Sequence, residues 1–365
     1  MAGWWAHRCC RRNACFLFTG SVVVVVVLYQ WYMSPPVSIL KQGDLKYLNG
    51  TKLVLLWTKF FSQTQWVNDS HFRDCPVNRC IVSEDKSLLL KSDAVLFHER
   101  DIGGRDQMPM VRTSEQRWIW LTQETVMNME APLAEYNGLF NWTMTYRRDS
   151  DVVIPYGAVQ KRAEPLTMAR LRKMIAEESA TRRKLVAIRI SNCKSPFTDR
   201  MNYLRKLQEY VPVDVLGKCG ESCELHDGCS DTFMSQYKFY LAFENSHCRD
   251  YVTEKLWLPL AFWNSVPVVM GGADPSDYAA VAPPKSYIHV ASFKSPQKLA
   301  EYLMLLDKSD TLYNEYFNWR RTYKYTFPPY CDLCTALHSP KPRKTYNLVE
   351  WYKSDKCSAD HPVYV

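Results

Sequence analysis

Short apolar runs bounded by polar residues recur along this chain and alternate with stretches of helical spacing. Two of these runs, residues 239–243 and 266–270, flank a polar turn and a short helical stretch. An apolar strand, a helical crossover and a second apolar strand make one unit of a parallel sheet. Such sheets bind ligands outside the carboxyl ends of their strands, where the polar residues from Glu244 to Lys255 are expected. The pattern therefore predicts a site for an anionic, nucleotide-like ligand.

The same pattern predicts further elements on both sides of this unit. The other predicted strands are residues 52–57, 93–97, 117–120, 151–155, 185–189 and 213–216, and helical spacing covers 167–181, 200–209, 297–306 and 313–323. Strands that alternate with helices in both halves predict an α/β fold of two Rossmann-like domains that face a cleft. We expect the first domain at 51–180 and the second at 181–330, followed by a C-terminal segment at 331–365.

A basic tail at residues 1–13 precedes an uncharged apolar run at 14–33. About 18–20 apolar residues are enough to cross a bilayer as a helix. The arginines of the tail place it in the cytosol and the rest of the chain in the lumen, which is a type II orientation. A cleaved signal peptide is the alternative, but the bulky residues 31–33 stand where a small-residue cleavage pattern would be needed. We therefore expect a transmembrane signal-anchor, followed by a stem at 34–50.

Glycosylation sequons and cysteine usage agree with a lumenal body. Sequons begin at Asn49, Asn68 and Asn141, although Asn141 lies in a longer motif and can serve packing instead. Ten of the 13 cysteines follow the predicted anchor, an even number that is consistent with disulfides in an oxidising compartment. The segment 219–229 carries three of these cysteines and His226 at a spacing that zinc accepts, but disulfides are favoured in a lumenal loop.

Length and charge give little further information about the class of function. At 365 residues the chain is long enough for two domains. The formal net charge of +8 partly reflects the basic N-terminus, and the chain shows no stripe of Lys and Arg with interleaved aromatic residues. Nucleic acid is therefore not an expected partner.

Several motifs of the chain resemble a known family. The strand–helix–strand unit at residues 239–272 is similar to the donor-binding signature of the α1,3-fucosyltransferases, glycosyltransferase family 10. The similarity extends to residues 140–157 and 282–290 in the family's order, and it spans most of the chain after residue 90. The resemblance implies a GT-B fold and an inverting α1,3-fucosyltransferase that moves fucose from GDP-fucose to N-acetylglucosamine of glycoprotein or glycolipid glycans. It also implies a single-pass Golgi membrane protein, with a lumenal catalytic domain and Lewis-type acceptors favoured.

The resemblance places a catalytic base shortly after a Trp-x-Trp strand. Residues 117–124 match this pattern and make Glu124 the candidate base, in a cleft that can raise its pKa toward neutral. The family's glutamate is followed by Ser-Pro, whereas Thr125 and Val126 stand here. An isolated glutamate would ordinarily be a surface or capping residue, so this role depends on the motif around it.

The donor-binding roles also follow from the resemblance. Lys255 is expected on the diphosphate as a point charge, and Glu254 on the ribose hydroxyls. Arg200 aligns with a phosphate-contacting arginine of the family, and Asn245 and Tyr251 fall in positions that line the nucleotide and the fucose. Outside this motif, a Glu-Lys pair would be interpreted as a solvated surface pair.

His98, Glu99 and Arg100 resemble the family's acceptor stretch, with Glu99 in place of its second histidine. A solvated loop with an Arg–carboxylate pair is the alternative interpretation. Asp149 and Asp151 have the Asp-x-Asp spacing of metal-dependent transferases, but they lie far from the donor signature along the chain. We therefore expect no metal site and no required cofactor, and we leave a divalent ion open as a stimulant of turnover.

Cys331 and Cys334 have the spacing of a redox pair, yet they follow two prolines and are not expected to open a helix after a strand. The family ties such a pair to cysteines near the start of the catalytic region, which implies disulfides with Cys75 and Cys80. A bridge that closes about 250 residues would constrain the unfolded chain by on the order of 5 kcal/mol. Such bridges would clamp the two domains together.

Two alternative functions stay open at this point. A core α1,3-fucosyltransferase would act on the innermost N-acetylglucosamine of N-glycans or on a protein-linked glycan. A catalytically inactive sugar-nucleotide-binding Golgi protein would have kept the fold alone. The departures from the family pattern at Glu99 and after Glu124 are the features that keep this last alternative open.

Overall fold

The computed structural model of the protein describes residues 50–357 except 65, 66, 68, 327–329, 341 and 343. The predicted tail, membrane anchor and stem up to residue 49, together with the sequons at Asn49 and Asn68, lie outside the described residues. Within the described part of the chain, no helix combines the length and the apolar character that crossing a membrane requires.

Parallel strands form the first sheet, in the order β2-β1-β3-β4-β5-β6. They are β1 (Lys52–Leu56), β2 (Cys80–Ser83), β3 (Ala94–His98), β4 (Arg117–Thr122), β5 (Trp142–Thr145) and β6 (Val152–Val153). The strands predicted for this half are confirmed as β1, β3, β4 and β6. The apolar pattern does not predict β5, because Thr143 and Thr145 interrupt it while being buried in the sheet through hydrogen bonds to Asp151 and Ser150.

A second parallel sheet follows, in the order β12-β11-β10-β8-β9. The remaining strands are β7 (Ala158–Lys161), β8 (Lys184–Arg189), β9 (Asp214–Leu216), β10 (Tyr237–Phe243), β11 (Val266–Met270), β12 (Ile288–His289) and β13 (Tyr323–Thr326). Strands β7 and β13 pair with each other in an antiparallel ladder. The strands predicted for the second half are confirmed as β8, β9, β10 and β11.

Each parallel sheet reverses its direction of strand addition at one point. The order turns between β1 and β3 in the first sheet, and between β8 and β10 in the second sheet. Open parallel sheets bind ligands at such switch points, in the crevice outside the carboxyl ends of the strands. The switch point of the second sheet therefore coincides with the region where the sequence predicts an anionic ligand.

Helices connect the strands and cover the sheets. They are α1 (Met168–Ser179), α2 (Arg200–Gln208), α3 (Asp231–Met234), α4 (Glu254–Leu258), α5 (Ser276–Val281), α6 (Pro296–Asp307), α7 (Asp310–Asn314), α8 (Cys331–His338) and α9 (Leu348–Lys353). Thr167 and Ser295 cap α1 and α6 with side-chain oxygens that accept from backbone amides of the first turn. The predicted helices at 167–181, 200–209 and 297–306 are confirmed.

Shorter helical turns fill the loops. The 3-10 helices are Asp69–Phe72, Lys86–Lys91, Glu99–Asp101, Arg105–Gln107, Val126–Asn128, Leu133–Tyr136, Cys223–Cys229, Val290–Ser292 and Glu315–Arg321, and a π-helical turn covers Pro259–Trp263. The helix predicted at 313–323 is wrong as a single element, because α7 ends at Asn314 and the 3-10 helix Glu315–Arg321 continues the chain.

The C-terminal segment returns to the first sheet. Leu348 and Tyr352 of α9 are buried in the apolar core that packs on that sheet. Trp120 of β4 donates a hydrogen bond from Nε1 to Tyr352 Oη at 2.9 Å. Residues 232 positions apart in the sequence therefore share one core.

Two disulfides hold the C-terminal segment against the first half. The bridges Cys75–Cys331 and Cys80–Cys334 join α8 to the start of the first half, and they use the four cysteines that the resemblance implies. Helix α8 begins at Cys331, so the expectation that this pair does not open a helix is wrong. The segment instead forms an amphipathic helix that buries Leu333 and Cys334 against the first half.

Three further bridges occur in the described chain: Cys193–Cys219, Cys223–Cys229 and Cys248–Cys357. The cysteines of the segment 219–229 are thus all bonded to other cysteines, as the disulfide interpretation of that segment requires. Its His226 instead pairs with Glu221 at 2.7 Å and stacks on Phe233 with ring centroids 4.7 Å apart.

Asn141 is the one predicted sequon that lies among the described residues. Its side chain is buried, and Nδ2 donates to the carbonyl oxygen of Lys344 at 3.0 Å. Its Oδ1 accepts from the backbone amide of Trp118, also at 3.0 Å. The nitrogen that would carry the glycan is thus enclosed and hydrogen-bonded, which favours the packing alternative, and glycosylation of Asn141 stays a prediction.

Candidate active site

Arg200 marks the switch point of the second sheet. It begins α2, and its guanidinium donates to the carbonyl oxygens of Phe243 (3.2 Å) and Asn192 (2.8 Å). Phe243 is the last residue of β10, and Asn192 lies shortly after β8. One side chain therefore joins the ends of both strands. Burial lowers the pKa of Arg200 from its high ordinary value. Its Nε is buried and lacks a hydrogen-bond partner within the described structure, which leaves one donor for a ligand.

Glu244 follows β10 directly and is fully buried. Its carboxylate accepts from the backbone amide of Thr253 at 2.9 Å and from the Thr253 hydroxyl at 2.8 Å and 2.9 Å. Lys255 lies 3.0 Å away through Nζ. Burial raises the pKa of Glu244, and the charge of Lys255 opposes that rise. These short contacts attach the start of α4 to the end of β10.

Lys255 is the cation of this cluster. Its Nζ contacts Glu244, Glu254 (3.3 Å) and the Thr253 hydroxyl (3.0 Å). Burial lowers the pKa of the ammonium, but the two carboxylates more than offset this effect and leave the pKa above its ordinary value. The side chain is still 19% exposed. The charged ammonium is therefore partly accessible to solvent.

Asn245 and Tyr251 belong to the loop between β10 and α4. The carbonyl oxygen of Asn245 accepts from Ser195 Oγ at 2.9 Å. Asn245 Oδ1 is buried and has no hydrogen-bond partner among the described residues, so it can accept from a ligand hydroxyl. Tyr251 is buried, and its hydroxyl donates across the cleft to Glu124 Oε2 at 3.4 Å.

Glu124 lies two residues beyond β4, at the carboxyl end of the first sheet. Its backbone amide donates to Thr122 Oγ1 at 3.0 Å, which fixes the turn. Burial raises the pKa of its carboxyl group to about 7; Lys255 and Arg100 oppose that rise, and Glu254 adds to it. The contacts that its carboxylate receives from Tyr251 and Asn128 are both 3.4 Å long. A loosely held carboxyl group that titrates near neutral pH is suited to take up a proton.

Sequence reasoning did not identify three residues that hold this arrangement, Asn128, Ser246 and Thr253, and it noted Thr125 only as a departure from the family pattern. Thr253 caps α4, and a threonine before a helical stretch is a signal that could have revealed it. The contact of Asn128 Nδ2 with Ser246 Oγ, at 3.1 Å, spans 118 residues of sequence. Nothing in one sequence reveals such a pairing.

His98 and Glu99 of the predicted acceptor stretch are buried. His98 Nδ1 lies 2.6 Å from Asp101 Oδ2, and the imidazole packs on Phe60 with ring centroids 4.2 Å apart. Glu99 Oε1 accepts from the backbone amides of Glu130 and Ala131, at 2.9 Å each. Both side chains thus fix the loops beside the cleft through internal contacts.

Arg100 is the exposed member of the same stretch. Its Nη2 pairs with Glu130 at 2.6 Å. Its charge opposes the rise in the pKa of Glu124 that burial causes. Of the three residues predicted for the acceptor, Arg100 is the one available to a ligand.

Asp149 and Asp151 are engaged in ion pairs inside the first half and between the halves. Asp149 Oδ2 lies 2.6 Å from both Arg147 and Arg249. Asp151 accepts from Tyr346 Oη and pairs with Lys344, both at 2.7 Å. Cationic and hydroxyl groups are therefore the partners of both carboxylates in the described structure.

Comparison with known proteins agrees with these motifs. The family model described as "Fucosyltransferase, N-terminal" matches residues 49–157, and "Glycosyltransferase family 10 (fucosyltransferase) C-term" matches residues 179–352. Together they cover both sheets and the proposed site.

Curated relatives show the same likeness over most of the chain. A 3-galactosyl-N-acetylglucosaminide 4-α-L-fucosyltransferase of Bos taurus is 37% identical over 82% of this chain and 81% of its own length. Glycoprotein 3-α-L-fucosyltransferase A of Drosophila melanogaster is 37% identical over 76% of this chain, which spans only 55% of that relative.

A solved structure, that of an α1,3-fucosyltransferase with GDP-fucose, superposes with a TM-score of 0.52. It covers 80% of this chain and 92% of the solved chain at 18% identity, a likeness that concerns the fold alone. With both family models matched in order and relatives above 30% identity over most of their length, the chain belongs to glycosyltransferase family 10, the fucosyltransferases.

Proposed function

We propose that this chain is an inverting α1,3-fucosyltransferase that uses GDP-fucose as donor and N-acetylglucosamine of glycoprotein or glycolipid glycans as acceptor. The observation that carries the proposal is the carboxyl group of Glu124, whose pKa is raised to about 7 and which accepts a hydrogen bond from Tyr251 in the loop between β10 and α4. A base on one sheet and cations on the other are the two functions that inverting transfer from a nucleotide sugar requires.

In this proposal the second sheet holds the donor. Lys255 and Arg200 contact the diphosphate, where an ammonium and a buried guanidinium Nε offer charge and directed donors. Glu254 accepts from ribose hydroxyls, and Asn245 and Tyr251 line the nucleotide and the fucose. As the bond from the anomeric carbon to phosphate breaks, the leaving GDP gains negative charge that the two cations stabilise.

The first sheet supplies the base. The acceptor hydroxyl attacks the anomeric carbon from the face opposite GDP, and a new carbon–oxygen bond forms with inversion. The proton of that hydroxyl passes to Glu124, and GDP departs with the electron pair of the broken bond. A carboxyl group with a pKa near 7 is ionised in part at neutral pH and still basic enough to accept the proton.

The test is the variant Glu124→Gln. It removes the base while keeping the size and the hydrogen-bond acceptor of the side chain, so we expect kcat to fall by roughly 100- to 10,000-fold. We expect the Kd for GDP, measured by calorimetry, to stay within about twofold, because the phosphate contacts lie on the other sheet.

Glu135→Gln is the matched control, since Glu135 is an exposed glutamate of the same half. We expect it to keep wild-type turnover. Turnover of Glu124→Gln close to wild type at saturating acceptor would refute the role of Glu124. Absence of GDP release by the wild-type protein, despite GDP-fucose binding, would instead support the inactive sugar-nucleotide-binding alternative.

A core α1,3-fucosyltransferase is the second candidate. It is favoured by the likeness to a relative named glycoprotein 3-α-L-fucosyltransferase, whereas the bovine relative's name describes a galactosyl-N-acetylglucosamine acceptor. Transfer of labelled fucose to lactosamine and to a trimmed N-glycan, assayed side by side, separates the two. We expect lactosamine to be the better acceptor, which is the Lewis-type preference.

We further propose a type II protein of the Golgi membrane, with the described residues in the lumen. The five disulfides support an oxidising compartment. Protection of the folded body from protease in sealed microsomes would test the orientation.

Because Asp149 and Asp151 are paired with cationic and hydroxyl groups, we expect transfer to continue in chelator. Loss of all turnover in chelator would contradict a metal-independent reaction.

A further inference from the structure

Asn128 lies where the candidate base, its own loop and the donor loop meet. Its Nδ2 is 3.4 Å from Glu124 Oε2, 3.2 Å from Thr125 Oγ1 and 3.1 Å from Ser246 Oγ. Glu124, Thr125 and Asn128 follow β4 in the first half, whereas Ser246 follows β10 in the second half. One amide group therefore contacts both sides of the cleft.

The amide nitrogen of Asn128 has two protons for these three acceptors. When Glu124 is protonated, the shorter contacts to Thr125 and Ser246 can use both protons. When Glu124 is ionised, a charge-assisted hydrogen bond to the carboxylate is stronger than a neutral one and draws one proton toward it. The long distance to Glu124 is consistent with this, since catalytic hydrogen bonds are often long in unliganded proteins and shorten when substrate binds.

Thr125 keeps the link between the halves when Asn128 turns toward Glu124. Its side chain is fully buried, and its hydroxyl lies 3.3 Å from Ser246 Oγ. Thr125 replaces the serine that follows the glutamate in the family pattern, and it retains the hydroxyl that this contact uses. Ser246 is itself buried and directly follows Asn245 in the loop proposed to line the donor.

We propose that Asn128 is a positioning residue that orients the carboxylate of Glu124 and, through Thr125 and Ser246, couples that orientation to the donor loop. This inference rests on the proposed function, in which Glu124 is the base. In this proposal Asn128 acts on Glu124 and not on either sugar. It acts by fixing the direction of the Glu124 lone pair and by stabilising the ionised form.

Other charged and titratable groups face Glu124 as well, and they bear on any pH effect. Lys255 and Arg100 favour its ionised form, Glu254 disfavours it, and the Tyr251 hydroxyl donates to it. Tyr156 lies beside Tyr251, with ring centroids 6.2 Å apart, and donates to the carbonyl oxygen of Gln123 at 2.6 Å. None of these groups is altered by substitution of Asn128.

The experiment compares the pH dependence of kcat for wild type, Asn128→Ala and Asn128→Asp, with saturating GDP-fucose and acceptor. A base works when ionised, so kcat rises with pH through the pKa of Glu124. Removing a donor, or adding a neighbouring carboxylate, disfavours the ionised form and moves this rise to higher pH.

We expect Asn128→Ala to lower kcat at pH 7 by roughly 10- to 100-fold, with the Kd for GDP within about twofold of wild type. We expect Asn128→Asp to shift the rise in kcat further toward alkaline pH than Asn128→Ala does and to regain activity there. The regain at high pH is the result that a purely structural defect would not give.

Asn347→Ala is the structural control, because Asn347 caps α9 through a bond to the amide of Glu350 at 3.1 Å. It should lower the melting temperature without moving the pH profile. Thr125→Ser keeps the hydroxyl and should retain the wild-type profile, whereas Thr125→Val loses it and should resemble Asn128→Ala.

Unshifted pH profiles in both Asn128 variants, at any kcat, would overturn the positioning role while leaving the proposed function intact. A loss of GDP affinity equal to the loss of kcat would overturn it too. If the wild-type protein transfers no fucose from GDP-fucose, the proposed function itself has failed, so the two failures are told apart by the wild-type assay alone.

Discussion

The carboxyl ends of the two sheets hold their buried glutamates in different ways. On the second sheet, Glu244 has a cation 3.0 Å away and hydrogen bonds of 2.8 to 2.9 Å from Thr253. At the end of the first sheet, the contacts of the Glu124 carboxylate with Tyr251 and Asn128 are each 3.4 Å long. Burial raises the pKa of both groups.

The difference shows which carboxyl group can exchange a proton. Glu244 is enclosed by short bonds whose geometry fixes Thr253 and Lys255, so its charge serves to place a cation. Glu124 is loosely held, and its pKa of about 7 lies where a small change of environment switches its charge. This difference agrees with the proposed function, in which the second sheet holds the anionic donor and the first sheet accepts the proton.

The largest expected effect comes from Lys255→Met, which removes the cation from the closely bonded Glu244 cluster. The substitution leaves Glu244 buried without its cation, which costs about 3–5 kcal/mol of unfolding free energy when the charge is retained. We also expect donor affinity to fall roughly 100-fold, because a buried charge contact to the diphosphate is lost. Chemical denaturation and calorimetry with GDP measure the two losses separately.

The double variant Lys255→Met with Glu244→Gln sharpens this test. Replacing both partners removes the unpaired charge, so we expect most of the stability to return while GDP binding stays weak. Wild-type GDP affinity in the double variant would show that Lys255 supports the fold only. Lys298→Ala, at an exposed pair on α6, is the matched lysine control and should change neither quantity.

The next effect concerns the disulfide Cys75–Cys331, which joins α8 to the first half. Replacing Cys75 and Cys331 together by alanine should lower the unfolding free energy by about 2–5 kcal/mol, with the Kd for GDP unchanged. The bridge spans 256 residues, so its removal frees a large loop in the unfolded chain.

Removing Cys223–Cys229, which spans 6 residues, provides the comparison and should cost less. Denaturant unfolding under oxidising conditions measures both. Equal losses for the two pairs would contradict the loop-entropy explanation and point to native contacts of the sulfur atoms instead.

The smallest effect is a dependence of stability on pH that follows from Glu124. Its pKa is raised from 4.5 to about 7 in the folded protein. The protonated form is therefore favoured by folding; this contribution is fully present below the unfolded pKa and is lost as pH rises through the folded value. Glu124→Gln should remove the loss and make the variant more stable than wild type at pH 8 by about 1–2 kcal/mol, after allowance for the part of the side chain in water.

Thermal unfolding of both proteins at pH 5 and pH 8 checks this sign. The difference between them should be small at pH 5 and largest at pH 8. A constant difference at both pH values would mean that Glu124 titrates elsewhere, and it would weaken the assignment of this residue as the base.

The sequence predicts the second sheet well because its central strands are buried on both faces. β10 and β11 are continuous apolar runs, and polar turns mark where they end. Four of the donor candidates, Asn245, Tyr251, Glu254 and Lys255, follow β10 within one short stretch, so periodicity and local motifs are enough to find them. Capping residues such as Ser295 likewise give the helix starts directly.

What the sequence does not reveal depends on contacts between distant residues. The pairing of Asn128 with Ser246 and the return of Tyr352 to Trp120 join elements 118 and 232 residues apart. Local periodicity carries no information on such pairs. Motif position predicts His98 and Glu99 at the acceptor. In the structure both side chains are buried and make internal hydrogen bonds, so they also serve packing.

The return of the C-terminal segment also bears on how the chain acquires its structure during synthesis. Cys75 and Cys80 leave the ribosome more than 250 residues before Cys331 and Cys334. At translation rates of about 5–20 residues per second, the early thiols wait on the order of 10–50 s for their partners. The half of the molecule that is translated first is thus the half whose disulfides close last, and its thiols stay unpaired with their native partners in the interval.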